Sequence, residues 1–172
     1  MLLNPSFVLN LVILCGILSI IFAYVTGVQI LSASAGNAKM KEIAGAIQIG
    51  ARAFLNRQYK TIAIVGVLVL LVVIYLFNFW VGLGYFIGAF LSGIAGYAGM
   101  LISVQANVRT AEASRKSLAE GLRISFKSGA LTGMLVAGLA LLAIAVYYLI
   151  LLELKIDERE ISNALVALGF GA

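Results

Sequence analysis

Long apolar stretches separated by short polar segments organise this chain. Four stretches, 7–31, 61–77, 79–104 and 128–152, contain no charged residue, and a further apolar run begins at Ile161. A helix rises about 1.5 Å per residue, so roughly 20 apolar residues cross the hydrocarbon core of a bilayer. Continuous apolar runs favour helices, because the strands of a membrane barrel alternate between apolar and polar positions. The pattern predicts an all-α fold, a polytopic transmembrane helical bundle of four long helices plus the start of a fifth.

The apolar region from Thr61 to Val104 is too long for a single crossing. It is interrupted by Asn78 and is roughly twice as long as one crossing needs. Turn-forming residues and the aromatic residues typical of a membrane interface cluster at its middle. They are Tyr75, Asn78, Trp80, Gly82, Gly84 and Tyr85. We therefore predict a hairpin that turns within 77–81.

The polar segments next to these stretches also have helical periodicity. Apolar residues recur at three- and four-residue steps from Met40 to Leu55, which predicts one helix from about Ala38 to Phe77. Such a helix would be roughly 60 Å long, so its first half would project from the membrane. We predict one transmembrane domain over 1–172, with spans at about 7–31, 40–77, 79–108 and 122–152 and a truncated fifth from 161.

The charged residues are distributed asymmetrically. Ten of the twelve Lys and Arg residues lie in segments 32–60 and 105–127, whereas acidic residues outnumber basic ones in the connector 153–160. By the positive-inside rule, the two basic segments are expected in the cytoplasm and the N-terminus outside. We expect an integral protein of a cell (plasma or inner) membrane, or of a vacuolar-type membrane in a eukaryote. Because this asymmetry accounts for the net charge of +5, no nucleic-acid partner is expected.

Residues that could bind metals or make and break bonds are scarce. The chain has no His, a single cysteine at Cys15, and acidic residues scattered among its loops. We therefore predict no catalytic, cofactor-binding or metal-binding residue in this chain. The lack of charge inside the apolar stretches predicts a packed frame without an ion path. Asn10 and Gln29, in the first stretch, are expected to form interhelical hydrogen bonds rather than to bind ions.

The basic segments allow two interpretations. Their charges could attract an anion to the cytoplasmic surface, or they could simply orient the protein and contact anionic lipid, which we favour. The candidate residues are Arg52, Arg57, Lys60, Arg109, Arg115 and Lys116. The spacing of Glu112 and Lys116, and of Glu120 and Arg123, predicts ion pairs along the projecting helices.

Small residues recur at helical spacing in the third and fourth stretches. Such rows let helix backbones approach closely. The rows are Gly84, Gly88, Ser92 and Gly96; Ala95, Gly99 and Ser103; and Gly129, Gly133 and Ala137. We expect them to pack helices within one bundle, although a dimer interface is an alternative.

Two blocks of sequence carry a more specific signal. The segment from Gly36 to Ile62 reads GNAKMKEIAGAIQIGARAFLNRQYKTI, and the segment from Gly88 to Gly133 contains AGYAGMLISVQANVRTAEAS and then GLRISFKSGALTG. In order and spacing, these blocks resemble the N-terminal quarter of the membrane-bound, ion-translocating pyrophosphatases. The resemblance extends over essentially the whole chain. One departure is Gln105, where many members of that family have Arg.

The resemblance implies a pump larger than this chain. Members of the family hydrolyse cytoplasmic pyrophosphate as a magnesium complex and export H+ or Na+, and some require K+. An inner ring of helices holds the substrate and the ion path, and an outer ring includes helices one to four. The family's aspartate-rich substrate motif would begin shortly after Ala172, so the resemblance assigns no catalytic residue here. It implies the remaining helices of the pump, pyrophosphate and the lipid bilayer as partners, and a homodimer when complete.

Two other functions remain open at this point. A stand-alone membrane scaffold could self-associate through the glycine rows without any catalysis. A small independent transporter or channel is disfavoured by the absence of charge within the apolar stretches. The sequence does not distinguish H+ from Na+ as the pumped ion, nor a split subunit from a truncated chain.

Overall fold

Five helices account for most of residues 5–172, the part of the chain that the computed structural model describes. They are α1 (Pro5–Ser32), α2 (Ala38–Leu76), α3 (Phe79–Ser114), α4 (Leu118–Glu153) and α5 (Glu158–Gly171). No strand occurs among these residues, and helices α1 to α4 are each long and apolar enough to cross a membrane. The predicted all-α bundle of four long helices and a shorter fifth is confirmed.

The chain reverses direction at short loops whose last residue caps the next helix. The hairpin between α2 and α3 turns at Phe77 and Asn78, inside the predicted segment. The Asn78 side chain accepts a hydrogen bond from the Val81 amide, which satisfies a backbone donor left free at the helix start. Asn37 and Ser117 cap α2 and α4 in the same way. The 39 residues of α2 form one continuous helix, as the periodicity predicted.

Helix α3 lies at the centre of the arrangement. It packs against α2, α4 and α5, while α1 packs mainly against α4. Within the described part of the chain, α2 makes no contact with α1, α4 or α5. The long helices therefore form a row in the order α2, α3, α4, α1, and α5 lies in the groove between α3 and α4.

Two clusters of buried side chains connect these helices. The first joins α4 to α5 through Tyr147, Leu151, Ala164 and Leu168, and the Tyr147 hydroxyl donates a 2.5 Å hydrogen bond to the Trp80 carbonyl of α3. The second joins α1, α3 and α4; its members are Ala23, Ile30, Ala106 and Leu131. Each cluster lies where three helices meet.

Glycines allow α5 to lie directly on the backbone of α3. A Cβ atom on Gly84 would overlap the Ala164 carbonyl, and one on Gly88 would overlap the Leu168 carbonyl. The contact is reciprocal, because a Cβ on Gly171 would overlap the Tyr85 carbonyl. The α3 row of small residues thus packs helices within the bundle, as expected.

The prediction for the glycine row of α4 is wrong within this bundle. A Cβ built on Gly129 or Gly133 meets no atom within 4 Å apart from the adjacent backbone of α4 itself. Instead α4 approaches α1 closely at Gly138, whose added Cβ would lie 2.9 Å from the Gly16 carbonyl oxygen. Spacing shows that residues share a face, but it does not show which face meets a neighbour.

We predict that Gly88→Ala destabilises the bundle. The added methyl group has to displace the α5 backbone, and overpacking of this kind costs about 1 to 3 kcal/mol. Thermal unfolding of the chain in detergent micelles, followed by Trp80 fluorescence, should show a lower midpoint. The matched control is Gly66→Ala in α2, where a Cβ meets no atom within 4 Å, so its midpoint should stay the same or rise slightly. Equal midpoints for the two variants would contradict the packing.

Candidate functional site

Polar chemistry is concentrated at the two ends of the bundle. One end, which we call the basic end, comprises residues 32–60 and 105–127 and includes the loops between α1 and α2 and between α3 and α4. The opposite, acidic end comprises the turn at 77–81 and the connector 153–160. The basic end contains all six basic residues named above as candidates for attracting an anion.

Every acidic residue of the basic end is engaged in a local ion pair. Glu42 pairs with Lys39 at 3.4 Å, Glu112 with Arg115 at 3.1 Å, and Glu120 with Arg123 at 2.8 Å. The pair of Glu120 and Arg123 was predicted, but the predicted pair of Glu112 and Lys116 is wrong. Helix α3 ends at Ser114, so Lys116 does not continue the helical face of Glu112.

The guanidinium of Arg109 donates hydrogen bonds to two backbone carbonyl groups. Those two donor nitrogens are therefore not free to bind an anion. Its Nη1 donates to the Gln105 carbonyl at 2.8 Å, and its Nη2 donates to the Leu31 carbonyl at 2.9 Å. Leu31 lies in the last turn of α1, where carbonyls lack helical partners and carry partial negative charge. Arg109 of α3 therefore caps the C-terminal end of α1. Its Nε is buried and has no hydrogen-bond partner among residues 5–172.

Lys127 of α4 also contacts the C-terminal end of α1. Its Nζ donates to the Gln29 side-chain oxygen at 2.7 Å, which confirms the interhelical hydrogen bond predicted for Gln29. Positions 29 and 31 point about 200° apart around a helix, so Arg109 and Lys127 contact α1 from two sides. We call Gln29, Leu31, Arg109 and Lys127 the α1 clamp. Asn10 is exposed, so its predicted interhelical hydrogen bond stays a prediction.

The loop after α1 is also held against α3. Gly36 adopts a φ of +79°, a conformation that side chains disfavour, and an added Cβ would overlap the Met40 sulfur. Arg115 reaches the same place, since its Nη1 lies 3.9 Å from the Met40 sulfur while it pairs with Glu112. The loop between α1 and α2 is thus fixed by contacts with the end of α3.

The other candidate residues remain exposed cations. The side chains of Arg52, Arg57, Lys60 and Lys116 form no ion pair within residues 5–172. The hollow beside Arg52 holds only about 10 Å³. A larger groove of about 240 Å³ between α2 and α3 is lined by apolar side chains together with Asn107. Neither of these two cavities is lined by both a cationic side chain and a carboxylate.

The acidic side chains among residues 5–172 are not gathered in one place. No group of three or more His, Cys, Asp or Glu residues within 5–172 is placed to hold a metal ion. Hydrolysis of a phosphoanhydride by metal ions needs several carboxylates that coordinate them. The basic end can supply positive charge that attracts anions, and salt would weaken this attraction.

The acidic end ties α5 to α3. The Asn78 side chain donates a 3.0 Å hydrogen bond to the Glu160 carboxylate in the first turn of α5. Further along, the Ser92 hydroxyl donates to the Ala172 carbonyl at 2.8 Å. Between these two bonds lie the glycine contacts, so α5 is aligned with α3 over its whole length.

Comparison with known proteins gives a consistent set of similarities. A family model described as inorganic H+ pyrophosphatase matches residues 17–172. The chain is 42% identical over 161 residues to the K+-insensitive pyrophosphate-energized proton pump of Methanosarcina mazei, covering 92% of this chain and 23% of that protein. It is 37% identical over 155 residues to a pump of the same name from Caldanaerobacter subterraneus, covering 80% and 22%.

A third relative pumps a different ion according to its name. It is a Bacteroides thetaiotaomicron protein provisionally named a K+-stimulated pyrophosphate-energized sodium pump, 40% identical over 147 residues, covering 82% of this chain and 20% of that protein. The chain spans about a fifth of the length of these curated relatives.

We predict that Arg109→Gln loosens the end of α1. Hydrogen bonds to a charged group contribute about 1.5 to 3 kcal/mol, so their loss should speed local opening roughly tenfold or more. Hydrogen exchange of the membrane-embedded protein should become faster in peptides covering residues 28–36. Arg57→Gln is the matched control, because its side chain forms no ion pair in residues 5–172 and lies outside the α1 clamp. Unchanged exchange in the Arg109 variant would show that the α1 clamp does not hold the helix.

Proposed function

The chain belongs to the inorganic H+ pyrophosphatase family, and from this membership we propose that it forms the N-terminal, outer-ring part of a pyrophosphate-energised ion pump. The match over residues 17–172 is the observation that carries the proposal. The protein is a membrane protein, since its relatives are membrane pumps and four of its helices are long and apolar enough to cross a bilayer. The named activities of the relatives belong to proteins about four times as long.

The proposed role of α1 to α4 is to frame the pump rather than to perform its chemistry. Charge is absent from the apolar stretches of α1 to α4, which supports a position away from the ion path. Residues 5–172 do not fit a complex of Mg²⁺ and pyrophosphate, because their carboxylates are separated or already paired with cations. We propose that residues outside this segment bind that complex, and that this segment alone is inactive.

The proposed orientation places the basic end in the cytoplasm, with the N-terminus and the acidic end outside. The positive-inside rule supports it, since the basic end contains ten of the twelve basic residues. On this orientation, Arg52, Arg57 and Lys60 of α2 add a positive field on the side from which pyrophosphate arrives. The complete pump is proposed to act as a homodimer in a cell or vacuolar-type membrane and to export H+ or Na+.

We predict Mg²⁺-dependent pyrophosphate hydrolysis coupled to ion uptake in inverted vesicles that contain the complete pump. Phosphate release is measured together with quenching of a pH-sensitive dye and uptake of ²²Na⁺. A protonophore should abolish dye quenching if H+ is pumped, whereas Na⁺ uptake should survive it if Na⁺ is pumped. Adding K+ to parallel samples tests stimulation.

Vesicles containing only the 172-residue chain are the control. They should show neither hydrolysis nor uptake, because the described residues form no metal site. Hydrolysis by this chain alone would refute its role as a frame. Absence of hydrolysis and transport from the complete protein, with the protein shown to be folded, would instead favour a membrane scaffold.

A further inference from the structure

A row of exposed polar side chains on α2 runs beside an apolar part of α3. Arg52, Asn56 and Lys60 recur at four-residue steps and therefore share one face of α2; we call them the α2 row. Arg52 and Leu101 of α3 line the same small hollow, and Asn56 is hydrogen-bonded to Tyr97 of α3. Both α3 residues belong to its charge-free stretch. The two helices thus change from polar to apolar at different levels.

This offset places the α2 row at the border of the bilayer. The charge-free stretch of α2 begins at Thr61, next to Lys60, whereas that of α3 continues to Val104. Exposed apolar side chains follow the row directly along α2, with Ile64 at 58% and Leu68 at 60%. Cations that stand where exposed apolar side chains end lie at the level of lipid headgroups.

A series of contacts fixes the direction of the Asn56 amide. The Tyr97 hydroxyl donates a 2.8 Å hydrogen bond to Asn56 Oδ1. The Tyr97 ring packs edge-on against Tyr59, with the ring centroids 5.3 Å apart, and a Cβ on Gly96 would overlap the Tyr59 hydroxyl. The NH₂ group of Asn56 forms no hydrogen bond within residues 5–172. It therefore offers two oriented donors to a ligand.

Arg52 has no counter-charge in the described part of the chain. Its side chain forms neither an ion pair nor a hydrogen bond there, and the acidic residues of the basic end pair with other cations. The hollow beside Arg52, toward Gln48 and Gln105, holds about 10 Å³, which is room for about one water molecule. An anion that binds Arg52 therefore lies on the other side, toward Asn56 and the bilayer.

Arg57 carries the same charge but faces away from α3. Helix α2 packs only against α3 within the described residues, so its buried Leu55, 3% exposed, marks the side of α3. At about 100° per residue, Arg52 lies about 60° from Leu55 around the helix and Arg57 about 160°. Arg57 is therefore a matched control for a site at the interface of α2 and α3.

We propose that the α2 row binds the phosphate group of an anionic phospholipid. Arg52 and Lys60 lie about 12 Å apart along α2 with Asn56 midway, so both long side chains reach a phosphate that the Asn56 amide holds. The row supplies two positive charges and two oriented donors, and the apolar surface beyond Lys60 suits the acyl chains. This site goes beyond the proposed function, because it requires a membrane protein but no pump activity.

Photolabelling of the complete protein in detergent micelles tests this site. The probe is phosphatidylglycerol, which carries a net negative charge, with a diazirine in its acyl chain, and adducts are mapped by mass spectrometry to peptides of α2. The concentration of unlabelled lipid that halves the adduct measures affinity. Competitors are phosphatidylglycerol, zwitterionic phosphatidylcholine, inorganic phosphate and pyrophosphate, the last two without Mg²⁺.

Four variants separate a built site from general attraction by the basic end. Arg52→Gln and Lys60→Gln each remove a cation of the α2 row, and Arg57→Gln removes an equal charge outside it. Tyr97→Phe keeps every charge but releases the Asn56 amide. Thermal unfolding shows that each variant is folded before it is labelled.

The expected result is an adduct on residues 61–76 that unlabelled phosphatidylglycerol displaces far better than phosphatidylcholine. Arg52→Gln and Lys60→Gln should each weaken this displacement about fivefold. Tyr97→Phe should weaken it roughly threefold, because an oriented hydrogen bond is lost, and Arg57→Gln should leave it nearly unchanged.

Equal effects of the Arg52 and Arg57 variants would overturn the site, as would the absence of an adduct on α2. Displacement by phosphate or pyrophosphate, or equal displacement by phosphatidylcholine, would overturn an anionic lipid as the occupant. An unchanged affinity in Tyr97→Phe would contradict the role of Asn56. None of these results depends on pyrophosphate hydrolysis, so a failure of the proposed function is recognised separately in the vesicle assay.

Discussion

Close approach of helix backbones is the interaction on which the rest of this bundle depends. Helices surrounded by lipid gain little from burying apolar side chains against one another, so their association relies on packing at short distance. Gly84 and Gly88 provide that distance between α3 and α5, and Gly16 and Gly138 provide it between α1 and α4. Hydrogen bonds at the ends, such as Asn78 to Glu160, then fix the alignment that packing allows.

The basic end combines two roles that its composition does not distinguish. Arg109 and Lys127 are structural cations, since each donates to a group on α1. Arg52, Arg57 and Lys60 keep their charge exposed and unpaired within the described residues. Only the second group can contribute fully to a field that attracts anions. The same kind of residue thus fixes helices at one place and leaves positive charge exposed at another.

The sequence predicted local features better than contacts between distant residues. The hairpin at Asn78 and the length of α2 follow from hydropathy and helical period, which act over a few turns of chain. The Leu31 carbonyl that Arg109 contacts lies 78 residues away, and no local pattern indicates this bond. The same limit explains the open Gly129 and Gly133, because their spacing defines a face but not its neighbour. Lys116 lost its predicted partner because α3 ends two residues earlier.

The central claim of the proposed function is that these helices frame a pyrophosphate pump and leave the chemistry to other parts of it. An experimental structure of the complete protein with Mg²⁺ and a non-hydrolysable pyrophosphate analogue tests this claim most directly. We expect every direct contact to the analogue and its metal ions to come from residues outside 1–172, with α1 to α4 at the perimeter. A direct contact between the analogue or a metal ion and a side chain of this segment would contradict the claim.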